Sequence, residues 1–168
     1  VELSSFQLMT IDSPVDAAVI TNITPNHLNW HTNMEEYIDA KRRILKYAKR
    51  AVLNFDNEIT RAIGNDIINE YDGGRRENHD GGKCGCSDNA ASGLTDHPCS
   101  VTWFSKSPID DCDMKPGCRA VFIQNGYVCE RGFGETAREI IKISDILLPG
   151  IHNVENYMAA IGASYGCT

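Results

Sequence analysis

The stretch RAVLNFDNEITRAIGNDIINEY, residues 50–71, carries the pattern that decides the fold class. Residues 50–55 form a short, mostly apolar run with the length and composition of a β-strand. Residues 56–71 are predicted as a helix, for which Asp56 or Asn57 supplies the N-terminal cap. A strand that leads directly into a capped helix is the repeating unit of α/β proteins.

The same pattern occurs on the N-terminal side of this unit. Residues 16–23, DAAVITNI, are a short apolar run with several β-branched residues, which is typical of a buried parallel strand. After a nine-residue loop, residues 33–50 predict an amphipathic helix. The order β-α-β-α favours right-handed crossovers and an open, mostly parallel α/β sheet flanked by helices.

The C-terminal side predicts a smaller antiparallel portion after a loop at residues 72–98. Three runs alternate like antiparallel strands, namely SVTWFS (100–105), RAVFIQ (119–124) and YVCER (127–131). Asn125-Gly126 is a strong signal for a tight turn between the last two. Residues 139–148, EIIKISDILL, predict one more strand, and a closing helix is expected from about Asn153.

Within the helix predicted for 33–50, one charged residue lies in the apolar stripe. Asn33 and Glu36 form a capping pair that fixes the register of the helix. Lys41 then falls in the middle of the stripe formed by Met34, Tyr37, Ile38, Ile44, Leu45 and Ala48. One interpretation is that its apolar stem covers the stripe while the ammonium reaches water. The other is a partly desolvated lysine whose neutral, nucleophilic amine is accessible near neutral pH.

Composition limits the classes of protein and partner. A chain of 168 residues is sufficient for one domain with its own core. The net charge of −7 and the dispersed lysines and arginines argue against a nucleic-acid partner. The apolar runs are too short to span a bilayer, and the N-terminus lacks the features of a signal peptide. We therefore expect a soluble, cytoplasmic protein that does not associate with membranes.

The seven cysteines raise the possibility of a zinc site, because five of them lie between residues 84 and 118. Their spacings, Cys-x-Cys at 84–86 and Cys-x5-Cys at 112–118, differ from the paired spacers of two to four residues that are usual in structural zinc sites. The sequence favours reduced thiols in a loop over zinc or disulfides. A non-catalytic module that holds zinc through Cys84, Cys86, Cys112 and Cys118 is retained as an alternative.

Polar clusters follow or flank the predicted strands, where ligands of open α/β sheets bind. ELSSFQL supplies Glu2, Ser4, Ser5 and Gln7; NITPNHLNWH supplies Asn22, Asn26, His27 and His31; LPGIHNVEN supplies His152, Asn153 and Asn156. Each cluster also has a purely structural interpretation. The serines are compatible with a turn, His27 with a satisfied loop histidine and Asn153 with a helix cap.

Four ordered motifs, VELSSFQL, NITPNHLNWH, EYIDAKRRI and LPGIHNVENYMAA, resemble the central domain of the Mur ligase family. The resemblance implies ATP-dependent formation of an amide bond. Within the family, the ELSSFQL form is similar to members that add D-glutamate to UDP-N-acetylmuramoyl-L-alanine in peptidoglycan synthesis. Another Mur ligase or a folylpolyglutamate synthase-type ligase would share the lysine and histidine, but is not expected to carry SSFQL.

The resemblance also implies a role for each cluster. Lys41 matches a lysine that is carbamylated in the family, so its charge is inverted and it becomes an oxygen ligand for Mg²⁺. Glu2 matches the carboxylate of a first Mg²⁺ site, and His27 matches the partner of Lys41 at a second. Asn153 and Asn156 resemble asparagines that contact the adenine of ATP. Ser4, Ser5 and Gln7 are expected on the side that binds the nucleotide-sugar substrate.

The implied reaction is phosphorylation of the muramoyl-alanine carboxylate by ATP, followed by attack of the D-glutamate amine on the acyl phosphate. No Gly-x4-Gly-Lys-Ser/Thr phosphate loop occurs in the sequence, although ATP-dependent relatives carry a related loop before ELSS. We therefore expect residues 1–168 to be a central-domain fragment, without the phosphate loop and the N- and C-terminal domains, and inactive alone.

Overall fold

The computed structural model describes residues 1–10, 13–24, 33–74 and 100–165. Within these ranges the strands are β1 Val15–Ile20, β2 Ala48–Asn54, β3 Ser100–Ser105, β4 Arg119–Gln124, β5 Tyr127–Gly132 and β6 Arg138–Lys142. The α-helices are α1 Ser5–Leu8, α2 Met34–Arg42, α3 Glu58–Gly74 and α4 Ile151–Ser164.

One sheet contains these strands in chain order, β1-β2-β3-β4-β5-β6. The first four are parallel to one another, whereas β4-β5 and β5-β6 are antiparallel. The predicted open, mostly parallel α/β sheet with a small antiparallel portion is therefore confirmed. The antiparallel direction predicted for residues 100–105 is wrong, because β3 runs parallel to β4. Parallel neighbours need a connection of about a dozen or more residues, which residues 106–118 supply.

The tight turn predicted at Asn125-Gly126 is confirmed. Asn125 has φ 52° and Gly126 has φ 80°, the two positive values that a type I′ turn requires. The turn pairs Gln124 with Tyr127 and sets the register of the hairpin.

The helix predicted for residues 33–50 is correct only in its first half. Its cap is as expected, since the backbone N–H of Glu36 donates to Asn33 Oδ1 at 2.8 Å. However, α2 ends at Arg42, a 3₁₀ helix follows over Arg43–Tyr47, and residues from Ala48 onward belong to β2. Ala48 is buried and pairs with Val15 in the parallel ladder, so strand pairing overrides the helical spacing of the sequence.

The strand predicted for residues 139–148 is likewise shortened. After β6 the chain forms a 3₁₀ turn at Ile143–Asp145, in which the Ile143 N–H donates to the Gly126 carbonyl at 2.9 Å. Ile146 is buried, whereas Leu147 and Leu148 are exposed. The apolar run therefore continues past the end of the strand. The closing helix begins at Ile151, slightly before its predicted start.

Two apolar layers cover the two faces of the sheet, because successive strand residues point to opposite sides. Leu53, Trp103 and Phe122 face α2 and α3, in a layer that also contains Tyr37, Ile63 and Ile67. Val52, Phe104 and Val121 face α4, which contributes Val154, Met158 and Ala159. In the described ranges, no helix is long and apolar enough to cross a membrane.

Candidate functional site

Polar side chains at the carboxyl ends of the parallel strands form a connected network. Asn54, the last residue of β2, is buried and donates through Nδ2 to Oδ1 of Asn22, which follows β1, at 3.1 Å. Asn57 Nδ2 donates to the Ile23 carbonyl at 3.1 Å. We name the set Asn22, Asn54, Asp56, Ser105, Lys106 and Glu155 the edge network.

Asp56 joins the ends of β2 and β3 within the edge network. Its carboxylate accepts hydrogen bonds from Ser105 Oγ and from the Lys106 backbone N–H, both at 2.8 Å. Its own N–H donates to Asn54 Oδ1 at 2.9 Å. Because a carboxylate forms stronger hydrogen bonds than a neutral acceptor, these contacts fix the two strand ends relative to each other.

Lys106 continues the edge network to helix α4. Its ammonium lies 4.0 Å from Asp56 Oδ2 and 3.6 Å from Glu155 Oε1. The Glu155 side chain is only 18% exposed, and the residue lies between Asn153 and Asn156 in the chain. The beginning of α4 is thereby connected to the ends of β2 and β3.

Asn153 and Asn156 lie near the start of α4, three residues apart and so on neighbouring parts of its surface. Asn153 is half-buried and donates through Nδ2 to the Pro149 carbonyl at 2.7 Å. The structure gives the N-cap position to Gly150, with φ 104°, so the interpretation of Asn153 as the cap is wrong. Asn156 is exposed, as a residue that contacts a ligand requires.

Lys41 is half-buried near the end of α2, with its ammonium 5.3 Å from the centroid of the Tyr37 ring. An ammonium in this position is attracted by the negative face of the ring. A carbamate on the same nitrogen would carry negative charge and would be repelled by it. The observed conformation therefore belongs to the unmodified lysine, and carbamylation requires the side chain to leave the ring.

The ELSSFQL segment forms α1, which packs against α2. Ser4 and Gln7 form a capping box, in which the Gln7 N–H donates to Ser4 Oγ at 3.3 Å and the Ser4 N–H donates to Gln7 Oε1 at 2.9 Å. Ser5 is half-buried, and Glu2 is exposed before the helix. The segment with Glu2 thus lies beside the helix that carries Lys41, although the capping contacts give Ser4 and Gln7 a structural role of their own.

Other predicted residues lie outside the described ranges, namely Asn26, His27, His31, Cys84, Cys86, Cys99 and Cys167. Among the residues that are described, no group of three or more His, Cys, Asp or Glu side chains could hold a metal ion. Cys112 is exposed, whereas Cys118 and Cys129 are buried in the apolar layer beneath α2 and α3. Burial raises the pKa of the Cys129 thiol, and the charge of Glu139 raises it further.

Sequence reasoning missed four members of the edge network, Asn54, Asp56, Lys106 and Glu155. A signal was present for three of them, since Asn54 and Asp56 lie at the end of the strand predicted for 50–55 and Lys106 directly follows that predicted for 100–105. Glu155 has no such signal. A separate open cleft of about 720 Å³ is bordered by Met9, α2 and α3, but none of the predicted site residues lines it.

Residues 1–102 of the chain match the model of the Mur ligase middle domain. The chain belongs to this family. A middle-domain protein of this kind has curated relatives, each named UDP-N-acetylmuramoylalanine--D-glutamate ligase. That of Acetivibrio thermocellus is 36% identical over 166 residues, which is 99% of this chain and 28% of the relative. That of Clostridium perfringens is 35% identical over 164 residues, 98% of this chain and 27% of the relative.

Part of the chain is more similar still to one relative. The enzyme of the same name from Clostridium botulinum is 63% identical over 46 residues, or 27% of this chain and 10% of the relative. Among solved structures, a pseudomurein peptide ligase type C from Methanothermus fervidus superposes with a TM-score of 0.46 at 18% identity, covering 90% of this chain and 31% of that one. The Mur ligase middle domain described here thus spans only 27 to 28% of the length of the two relatives that it matches almost end to end.

Proposed function

We propose that this chain is the central, ATP-binding part of a ligase that joins D-glutamate to UDP-N-acetylmuramoyl-L-alanine in peptidoglycan synthesis. The observation that carries the proposal is 36% identity over 99% of the chain to a relative with that name. The relative is several times longer, so the proposal assigns the remaining substrate contacts to parts of the enzyme that this chain does not cover. ATP is a cytoplasmic substrate, and the proposed location is the cytoplasm.

In the proposed reaction, the carboxylate of the muramoyl-alanine attacks the γ-phosphoryl group of ATP, and ADP leaves. The amine of D-glutamate then attacks the resulting acyl phosphate, loses a proton and displaces phosphate to form the amide. Mg²⁺, when bound, offsets the negative charge on the phosphoryl oxygens during transfer. The protein must hold the nucleotide, the acceptor carboxylate and the metal on one side of the sheet.

The donor set around α1 and α2 fits Mg²⁺ if Lys41 is carbamylated. Magnesium prefers hard oxygen ligands, which the exposed Glu2 carboxylate supplies directly and an unmodified lysine does not. Carbamylation turns the Lys41 nitrogen into a group with two oxygens. The contact between α1 and α2 supports a shared site for Glu2 and Lys41, to which we add His27 as the partner of Lys41.

The other predicted residues are assigned to the organic substrates. The side-chain amides of Asn153 and Asn156 are proposed to hydrogen-bond adenine near the start of α4. Ser4, Ser5 and Gln7 are proposed to contact the nucleotide-sugar substrate. The capping box fixes the backbone of this segment, and the amide nitrogen of Gln7 is a donor that the capping contacts do not use.

The test is a ligation assay on the full-length protein that contains this chain. Purified enzyme is supplied with ATP, Mg²⁺, UDP-N-acetylmuramoyl-L-alanine and one amino acid, and both phosphate release and product mass are measured. We expect a D-glutamyl product, and little product with L-glutamate, L-lysine or diaminopimelate. Preference for another amino acid, or glutamate addition to a folate acceptor, would assign the chain to a different ligase of the same family.

A further inference from the structure

We propose that Lys106 is a positioning residue for the nucleotide site, which it serves by holding the first turn of α4 through Glu155. The inference rests on the proposed function, in which Asn153 and Asn156 bind adenine. Lys106 is not expected to touch the nucleotide. Its role is to fix the helix that carries the two asparagines relative to the edge of the sheet.

Few contacts hold the first turn of α4. Gly150, at the N-cap, has no side chain to close the helix end, and Ile151 and His152 are exposed. Val154 is the apolar residue that anchors this turn in the core. Glu155 projects about 100° further around the helix, so its ion pair with Lys106 gives the turn a second point of attachment in another direction.

The remainder of α4 is attached more firmly. Met158 and Ala159 are buried against the sheet. At the C-terminal end, Arg50 donates to the Ala163 carbonyl at 3.2 Å, and the Arg119 guanidinium lies 3.8 Å from the centroid of the Tyr165 ring. Loss of the Lys106 contact therefore affects chiefly the first turn, where the two asparagines lie.

Lys106 is well placed to transmit the position of the sheet to the helix. Its backbone N–H is bound by the Asp56 carboxylate at 2.8 Å, while its ammonium lies between that carboxylate and Glu155. Removal of the ammonium would leave two carboxylates, Asp56 and Glu155, without the cation between them. Their mutual repulsion would move the first turn of α4 and add negative potential where the anionic nucleotide binds.

The experiment compares Lys106→Met, Lys106→Arg and Glu155→Gln in the full-length enzyme, with steady-state kinetics for ATP and for the amino-acid substrate. For Lys106→Met, we expect the KM for ATP to rise about three- to fivefold, as suits a partly exposed ion pair, with kcat and the other KM within about twofold. Lys106→Arg should restore most of the ATP affinity. The double variant that combines Lys106→Met with Glu155→Gln should be no worse than the more affected single variant, because both changes break the same contact.

Lys49→Met is the matched control, because it removes an exposed lysine paired with Asp16 at 2.8 Å near the opposite ends of β1 and β2. The proposal is overturned if Lys106→Met and Lys49→Met have equal KM values for ATP, or if Lys106→Met raises both substrate KM values alike. A different preferred amino acid would refute the proposed function while the ATP comparison still decides the role of Lys106. Normal D-glutamate ligation with an unchanged KM for ATP would refute the positioning role alone.

Discussion

Lys41 shows how a single side chain can support two different chemical states. Its ammonium lies over the Tyr37 ring, a contact worth about 0.5–1 kcal/mol at a partly exposed site. Carbamylation would exchange this modest attraction for a negatively charged oxygen ligand. The cost of leaving the ring is small compared with the stabilisation that a metal ion provides to such a ligand.

Lys41→Ala in the full-length enzyme is therefore expected to abolish ligation nearly completely without unfolding the protein. The group that is lost serves the metal site and contributes little to the core. Acetate, added at high concentration, should restore part of the activity by supplying carboxylate oxygens in the vacated space. Lys41→Arg should remain inactive, because a guanidinium does not lose its proton near neutral pH and cannot take up carbon dioxide.

The control for Lys41 is Lys46→Ala, which removes an exposed lysine from the 3₁₀ helix after α2. This variant should have nearly normal activity and no response to acetate. If Lys41→Ala retains ordinary activity, or is inactive and acetate does not revive it, the carbamate role is wrong.

Asn156→Ala is expected to raise the KM for ATP several-fold and leave the KM for D-glutamate unchanged. The proposed contact is one hydrogen bond to adenine, worth about 1 kcal/mol. Steady-state kinetics with each substrate varied in turn measure the difference. Asn69→Ala, which changes an exposed asparagine of α3, should leave both constants unaltered. Equal increases in both constants for Asn156→Ala would contradict a role in binding adenine.

At the scale of helices and strands, local patterns predicted the kind of element better than its limits. The cap of α2 at Asn33 and the turn at Asn125-Gly126 depend on neighbouring residues, and both were predictable. The end of α2 depends on the pairing of Ala48 with Val15, more than thirty positions away in the sequence. Helical spacing contains no information about such a partner, so the predicted helix continued into β2.

Helix α3 and β3 approach so closely that only glycine fits at position 64. A Cβ atom there would lie 2.1 Å from Cη2 of Trp103, whose ring is fully buried. Gly64→Ala is expected to destabilise the protein by about 1–3 kcal/mol or more, because neither the ring nor the helix backbone can move freely. Urea unfolding followed by tryptophan fluorescence measures the loss.

Asn65→Ala is the control for Gly64→Ala, because it adds no atoms and lies on the exposed side of the same helix. Its unfolding free energy should stay within about 0.5 kcal/mol of the original protein. A Gly64→Ala variant as stable as this control would mean that α3 and Trp103 are not packed as described.

At the scale of the whole molecule, the sequence predicted the α/β class and the mostly parallel sheet, because alternation of strands and helices is a repeated local signal. The edge network was not predicted as a unit. Its contacts join residues as distant as Asp56, Lys106 and Glu155, and each is an ordinary surface residue until the sheet brings the strand ends together. The catalytic assignments to Glu2, His27 and Lys41 remain predictions that the variants above test.

The distribution of thiols provides a test of the whole fold. Cys112 should react quickly with iodoacetamide in the native protein, whereas Cys118 and Cys129 should react only after denaturation. Burial blocks access to both, and the raised pKa of Cys129 also keeps its reactive thiolate scarce near neutral pH. Peptide mapping by mass spectrometry identifies the labelled residues. Rapid native labelling of Cys118 and Cys129 would contradict the described core.

The agreement between strand order in the sheet and strand order along the chain has a consequence during synthesis. Each new strand from β2 to β6 finds its neighbour already translated, so the sheet can grow from one side as the chain leaves the ribosome. Helix α4 is the exception, because it packs across β2, β3 and β4 long after they are made. Until that helix emerges, Val52, Phe104 and Val121 stay uncovered, and this is the interval in which a nascent chain would most need a chaperone.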